Sequence, residues 1–135
     1  MEHRATATCE RLVAARTVQP RGRPRGTAVV AAPPGERHGL PALMAAACLR
    51  EDCWTAHRLS ADLPAEDVAR FAAEAGAALV VLSTATPQAS ICAGRAAGLV
   101  TTAYATVTVL VGHPGDRLRD LQVRARKAVA AGRGA

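Results

Sequence analysis

Two hydrophobic rhythms alternate along the chain: short β-branched runs, and longer stretches in which apolar residues return every three or four positions. The first marks buried strands, the second helices with one face on a core. Thr27 to Ala32 (TAVVAA) predicts a strand, stopped by Pro33-Pro34-Gly35. Leu40, Leu43, Met44, Ala47 and Cys48 then keep helical spacing, and Pro41 suits a first turn. Trp54 to Leu59 predicts a second strand. Pro64 opens a second helix with Glu66 and Asp67 in its first turn, where acidic groups suit the dipole. Val68, Phe71, Ala72 and Ala75 form its apolar stripe, and Gly76 is a natural C-cap. Ala78 to Leu82 predicts the third strand and the alanine-rich stretch 88–103 a helix, although Gly94 and Gly98 weaken it. Val107 to Val111 predicts the fourth strand, closed by Gly112-His113-Pro114-Gly115. A last helix carries Leu118, Leu121, Ala125 and Val129 on one stripe.

Strands alternating with helices imply right-handed crossovers and a parallel sheet, hence the α/β class. The expected order is 2-1-3-4, doubly wound with helices on both faces. A fifth strand, usual in this pattern, is missing, because nothing after Val111 reads as one. Residues 1–26 are polar and arginine-rich, and Gln19 to Gly26 is broken by repeated Pro and Gly. They are expected to be a disordered basic tail, with at most a short helix around Cys9 to Ala15, before a single domain over 27–135.

Composition sharpens this picture. Half of the 135 residues are hydrophobic, but only one each is Trp, Tyr and Phe, so the core must come from close packing of small side chains. No apolar run reaches the roughly 18 to 20 residues of a membrane span, and no secretory signal is visible, which implies a cytoplasmic protein. The net charge of +6 invites a nucleic-acid partner. Much of the excess, however, lies in Arg21, Arg23 and Arg25 in front and Arg117, Arg119, Arg124, Arg126 and Lys127 behind. With almost no aromatic residues to stack bases, specific nucleic-acid binding is not expected. Cys9, Cys48, Cys53 and Cys92 form no C-x-x-C pair, so neither a disulfide framework nor zinc is indicated. Cys48 and Cys92 are expected to be ordinary buried thiols.

In such sheets ligands bind beyond the carboxyl ends of the strands, where strand order reverses. The loops there carry Gly35-Glu36-Arg37-His38-Gly39, then Ser83-Thr84-Ala85-Thr86, then Gly112-His113. One offers an imidazole two residues after a carboxylate, another offers hydroxyls, and the last a glycine that lets a ligand approach the backbone. These are the parts of a site that coordinates a metal through His38 and receives a polar appendage between loops. The plainer alternatives are a loop histidine ahead of a helix and a serine finishing a strand.

These residues resemble the cobalamin-binding domain of corrinoid carriers, cobalamin-dependent mutases and cobalamin-sensing regulators, a flavodoxin-like fold. That family shows D-x-H-x-x-G, S-x-L and G-G after its first, third and fourth strands. The matching residues are Glu36-Arg37-His38 with Pro41 at the glycine position, Ser83-Thr84-Ala85, and Gly112-His113. Pro33 to His38 and Leu59 to Pro64 are most similar to the regulator branch, and the likeness spans about 27–116. It implies that the nucleotide tail of cobalamin leaves cobalt for a slot beside the sheet and that His38 becomes the metal ligand. Glu36 would then fix the His38 tautomer, Ser83 and Thr84 would contact the tail, and Gly112 would leave it room. Pro41, Ala85 and His113 depart from the pattern, and His113 would either crowd the tail or act as a second ligand.

The helical cap, DNA-binding domain or catalytic barrel of such proteins does not fit in residues 1–26, so the cap over the corrin is expected from a protein partner or from self-association. The leading expectation is therefore a cobalamin carrier or sensor module. The alternative is a flavodoxin-like interaction domain without a cofactor. An independent enzyme is not indicated, since no nucleophile–base pair appears.

Overall fold

Alternation within the first strand decides how the domain is layered. In the computed structural model, which describes residues 22–113 and 115–133, β1 (Gly26–Ala31) sends Ala28 and Val30 to one face and Val29 and Ala31 to the other, all fully buried. A strand covered on both faces must carry apolar residues at consecutive positions, which is what a parallel sheet between two helical layers requires. The sheet adds β2 (Trp54–Arg58), β3 (Leu79–Ser83) and β4 (Thr108–Gly112), all parallel, in the order β2-β1-β3-β4. This is the expected order. β1, β3 and β4 sit within one residue of their predicted limits. β2 ends at Arg58, although the Leu59 amide still bonds to Val30. Four strands are present among the described residues, and the chain passes from β4 to a helix.

Helices α1 (Leu40–Glu51) and α4 (Leu118–Arg133) cover one face, packing Ala42, Ala46, Leu49, Leu121, Ala125 and Val129 on Val30, Leu79 and Val81. Helices α2 (Ala65–Ala75) and α3 (Pro87–Ala103) cover the other through Val68, Ala72, Ala93, Ala96 and Val100. Alanine on every buried helical face brings the helices close to the sheet, which is how a core nearly devoid of aromatics fills its volume. Gly76 ends α2 with φ 66°, as expected, and Thr86 caps α3 by accepting from the Ala89 amide at 3.1 Å. Gly94 and Gly98 lie on the exposed face of α3, where they do not disturb its packing.

Three expectations need correction. Helix α1 buries Ala42, Leu43, Ala45, Ala46 and Leu49, so Met44 is exposed and Ala47 and Cys48 are only half-buried. Leu118, placed on the buried stripe of α4, is exposed at the helix start. Cys48 and Cys92 are half-buried rather than core thiols, and the Cys48 Sγ reaches the Leu118 carbonyl at 3.1 Å. The expected tail lies, up to residue 21, outside the described residues, as does the helix considered near Cys9; residues 22–25 carry no regular structure. Arg25 and Arg126 both pair with the buried Asp52, tying the start of β1 and the middle of α4 to the end of α1. Among the described residues no helix is long and apolar enough to cross a membrane.

Candidate functional site

The strands end level with one another, Ser83 beside Gly112 in the ladder, so the following loops rise together at one end of the sheet. The loop after β1 opens with a tight turn over Pro33 to Glu36. Glu36 donates its amide to the Pro33 carbonyl at 3.0 Å, with proline second and Gly35 third at φ 87°, the geometry of a type II turn. The Asp62 side chain accepts from the Gly35 amide at 2.7 Å and anchors the turn to the exit of β2. The turn directs Glu36 inward and leaves His38 outside. Glu36 is 1% exposed, whereas the His38 side chain is 67% exposed.

Three N–H groups converge on that buried carboxylate. Oε1 accepts from the His38 amide at 3.0 Å and faces His38 Nδ1 at 2.7 Å, and Oε2 accepts from the Ala85 amide at 2.7 Å. Burial works to raise the Glu36 pKa, but these amides and the imidazole outweigh it and hold the carboxyl below its usual range. An ionised Glu36 has only acceptors to offer, so the neutral imidazole carries its proton on Nδ1 and presents Nε2 as a lone-pair donor.

Behind the loops lies a cavity of about 350 Å³ between α1, α4 and the ends of β3 and β4. Val81, Ala45 and Leu121 give it apolar walls; Ser83, Thr84, Ala85, Gly112 and His113 line it toward the mouth. Thr84 is buried and fixed, donating to the Gly112 carbonyl at 2.7 Å and lying 2.9 Å from Ser90 Oγ. Ser83 is also buried at the strand end. A Cβ on Gly112 would meet only Leu82 O at 3.8 Å and Ser83 Cα at 3.9 Å, ordinary contacts. Neither packing nor φ demands glycine there; its effect is to leave the cavity wall bare.

Of the residues singled out in the sequence, Ser83, Thr84 and Gly112 line one cavity, while Glu36 and His38 stand beside it and not in it. Ala85 joins the two groups, lining the cavity while donating its amide to Glu36. His113 is exposed on the wall. Among the described residues no cluster of three or more His, Cys, Asp or Glu could hold a metal ion, so His38 belongs to no such cluster. The sequence reading missed Ala85 as an amide donor, since a backbone group carries no residue signature. It also missed Asp116 and Arg124, which line the cavity and pair at 3.2 Å. The His113 amide and Arg124 hold the Asp116 carboxyl below its usual range against the opposing effect of burial.

No protein-family model matches the sequence, and no curated protein does. Solved structures do. A chain of the methanol:cobalamin methyltransferase complex of Methanosarcina barkeri superposes with a TM-score of 0.69 at 15% identity, over 82% of this chain and 48% of its own. The monomethylamine corrinoid protein of the same organism gives 0.67 at 15% identity, over 90% of this chain and 62% of its own. A cobalamin-binding protein of Desulfitobacterium hafniense gives 0.57 at 15% identity, over 81% and 56%. The chain thus has the flavodoxin-like α/β fold of these proteins and spans about half to three-fifths of their length. None of the three is described as a regulator, so the likeness to that branch rests on Pro33 to His38 and Leu59 to Pro64.

Proposed function

We propose that this domain binds a cobalamin, with His38 Nε2 as the protein ligand to cobalt and the nucleotide tail in the cavity beside Ser83, Thr84 and Gly112. The observation that carries the reading is the bridge made by Glu36. One carboxylate orients an exposed imidazole and is bonded, through the Ala85 amide, to the wall of the cavity. Ligand and slot are thereby held at a fixed separation.

The donor set fits the group. A lone imidazole is a poor site for a bare ion, which needs several protein ligands, but it suits a metal that arrives with an equatorial macrocycle. When bound, cobalamin would supply the cobalt chemistry of methyl or radical transfer. The chain's own residues supply orientation. Glu36 keeps the Nδ1 proton in place and raises the donor strength of Nε2, as carboxylates behind metal-bound histidines do. Thr84, clamped between β4 and α3, has its hydroxyl proton committed to the Gly112 carbonyl and so offers the tail only an oxygen lone pair, and Ser83 lies beside it. A carrier or sensor role follows, with the upper face of the corrin covered by a protein partner or a second copy. The fold shared with corrinoid proteins supports this reading.

Titrating the protein with cobalamin and recording the visible spectrum tests it. The expected result is a histidine-bound corrinoid whose signature disappears in His38→Ala. His113→Gly should tighten binding if the imidazole crowds the tail and weaken it if His113 contributes to the site. No spectral change at high cobalamin defeats the proposal and leaves a flavodoxin-like interaction domain without a cofactor, the reading favoured by an imidazole on the cavity wall.

A further inference from the structure

Among the described residues, the outer edge of β4 is met by two charged side chains and by no further strand. In the ladder with β3, the Thr108 amide donates to Ala78 and the Gly112 carbonyl accepts from Thr84. Thr108, Leu110 and Gly112 therefore face β3, and by alternation Val109, Val111 and His113 turn their backbone groups to the outer edge. Asp116 and Arg124 meet them there. Asp116 Oδ2 accepts from the His113 amide at 2.8 Å, and Arg124 Nη2 donates to the Val111 carbonyl at 3.1 Å. The two side chains also pair with each other at 3.2 Å. An open edge is normally blunted or covered; here two of the groups that a fifth strand would have bonded are capped by one ion pair.

The same pair lines the cavity. Arg117 joins Arg124 on this wall, whereas Val81, Leu121 and Ala45 line the cavity elsewhere. Two guanidiniums against the one Asp116 carboxylate leave this wall with a surplus positive charge, and apolar surface elsewhere separates a second chemistry: a guanidinium suits a phosphodiester, and the apolar part suits a planar base. Resting on the cobalamin reading, we infer that the Asp116–Arg124 pair is the outer wall of the slot and holds a phosphate-bearing nucleotide tail inside it. Asp116 acts as the positioning residue: bonded at once to the His113 amide and to Arg124, it keeps the guanidinium against β4 and the cavity instead of free in solvent.

The test compares cobalamin with cobinamide, which has the corrin ring but no nucleotide tail, on wild-type protein, Arg124→Gln, Arg124→Lys and Asp116→Ala. A hydrogen bond to a charged group is worth roughly tenfold in binding or more. Arg124→Gln and Asp116→Ala should therefore weaken cobalamin about tenfold and leave cobinamide unchanged. Arg124→Lys, which keeps the charge but not the fork, should recover part of the loss. Asp116→Ala should also speed hydrogen exchange of the His113 amide, a readout independent of any ligand. Equal changes for both corrinoids, or none for either, overturn the inference while the cobalamin reading stands. A wild-type protein that binds neither corrinoid defeats that reading first, and the tail-holding role with it.

Discussion

Replacing Glu36 by glutamine keeps the side chain's shape and removes its charge, and the three N–H groups around it set the expected effect. The Ala85 amide points at one oxygen and the His38 amide and Nδ1 at the other. A glutamine has one acceptor oxygen and one NH2, so in either orientation a donor faces a donor inside a buried site. An unpaired buried donor costs about 1–3 kcal/mol, and the surviving bonds lose the extra strength of a charged acceptor. Glu36→Gln should destabilise the domain by about 2–4 kcal/mol at neutral pH. Against a total of about 5–15 kcal/mol this is large, equivalent to a Tm lower by roughly 6–20 °C. Glu36 titrates below its usual range in the folded protein because the Ala85 and His38 bonds outweigh burial. Its contribution is therefore fully present above the unfolded carboxylate pKa of about 4.3 and is lost as pH falls through the lower folded value. Thermal melts of both proteins from pH 7 to pH 3 should show a gap that is constant near neutrality and closes below about pH 4. Equal melting temperatures at pH 7, or a gap that persists unchanged in acid, would refute the reasoning.

Gly112→Val should leave the melting temperature nearly unchanged, because no close neighbour crowds that position, yet abolish cobalamin binding by filling the slot; retained binding in a spectral titration would count against the tail's placement. Leu49→Ala, at a fully buried position of α1, should cost about 2–5 kcal/mol in urea unfolding through the cavity it opens. Gly26→Ala should cost about 1–3 kcal/mol, since φ is 156° and the added Cβ would lie 3.2 Å from Trp54 Cζ3; a calorimetric scan decides it.

The sequence by itself determined the order and type of the elements, the parallel sheet and the loops that carry the candidate residues. These are local matters: β-branched runs make strands, proline and glycine stop them, and alternation with helices leaves a parallel sheet as the solution. Glu36, His38, Ser83, Thr84 and Gly112 stood out as candidates because each lies at the carboxyl end of a strand or in the loop after it, where such a sheet gathers its loops. The buried face of α1 was not legible: nearly every residue from Leu40 to Leu49 is apolar, so periodicity selects no single stripe, and Met44 went outside. Only the tertiary structure decided that the long arm of Glu36 reaches a backbone amide 49 positions away, joining the histidine to the cavity. It alone also brought Asp116 and Arg124 to the outer edge of β4. Backbone donors look alike in every residue, and the pairing of exposed charges is chosen by the distance between elements once they have packed.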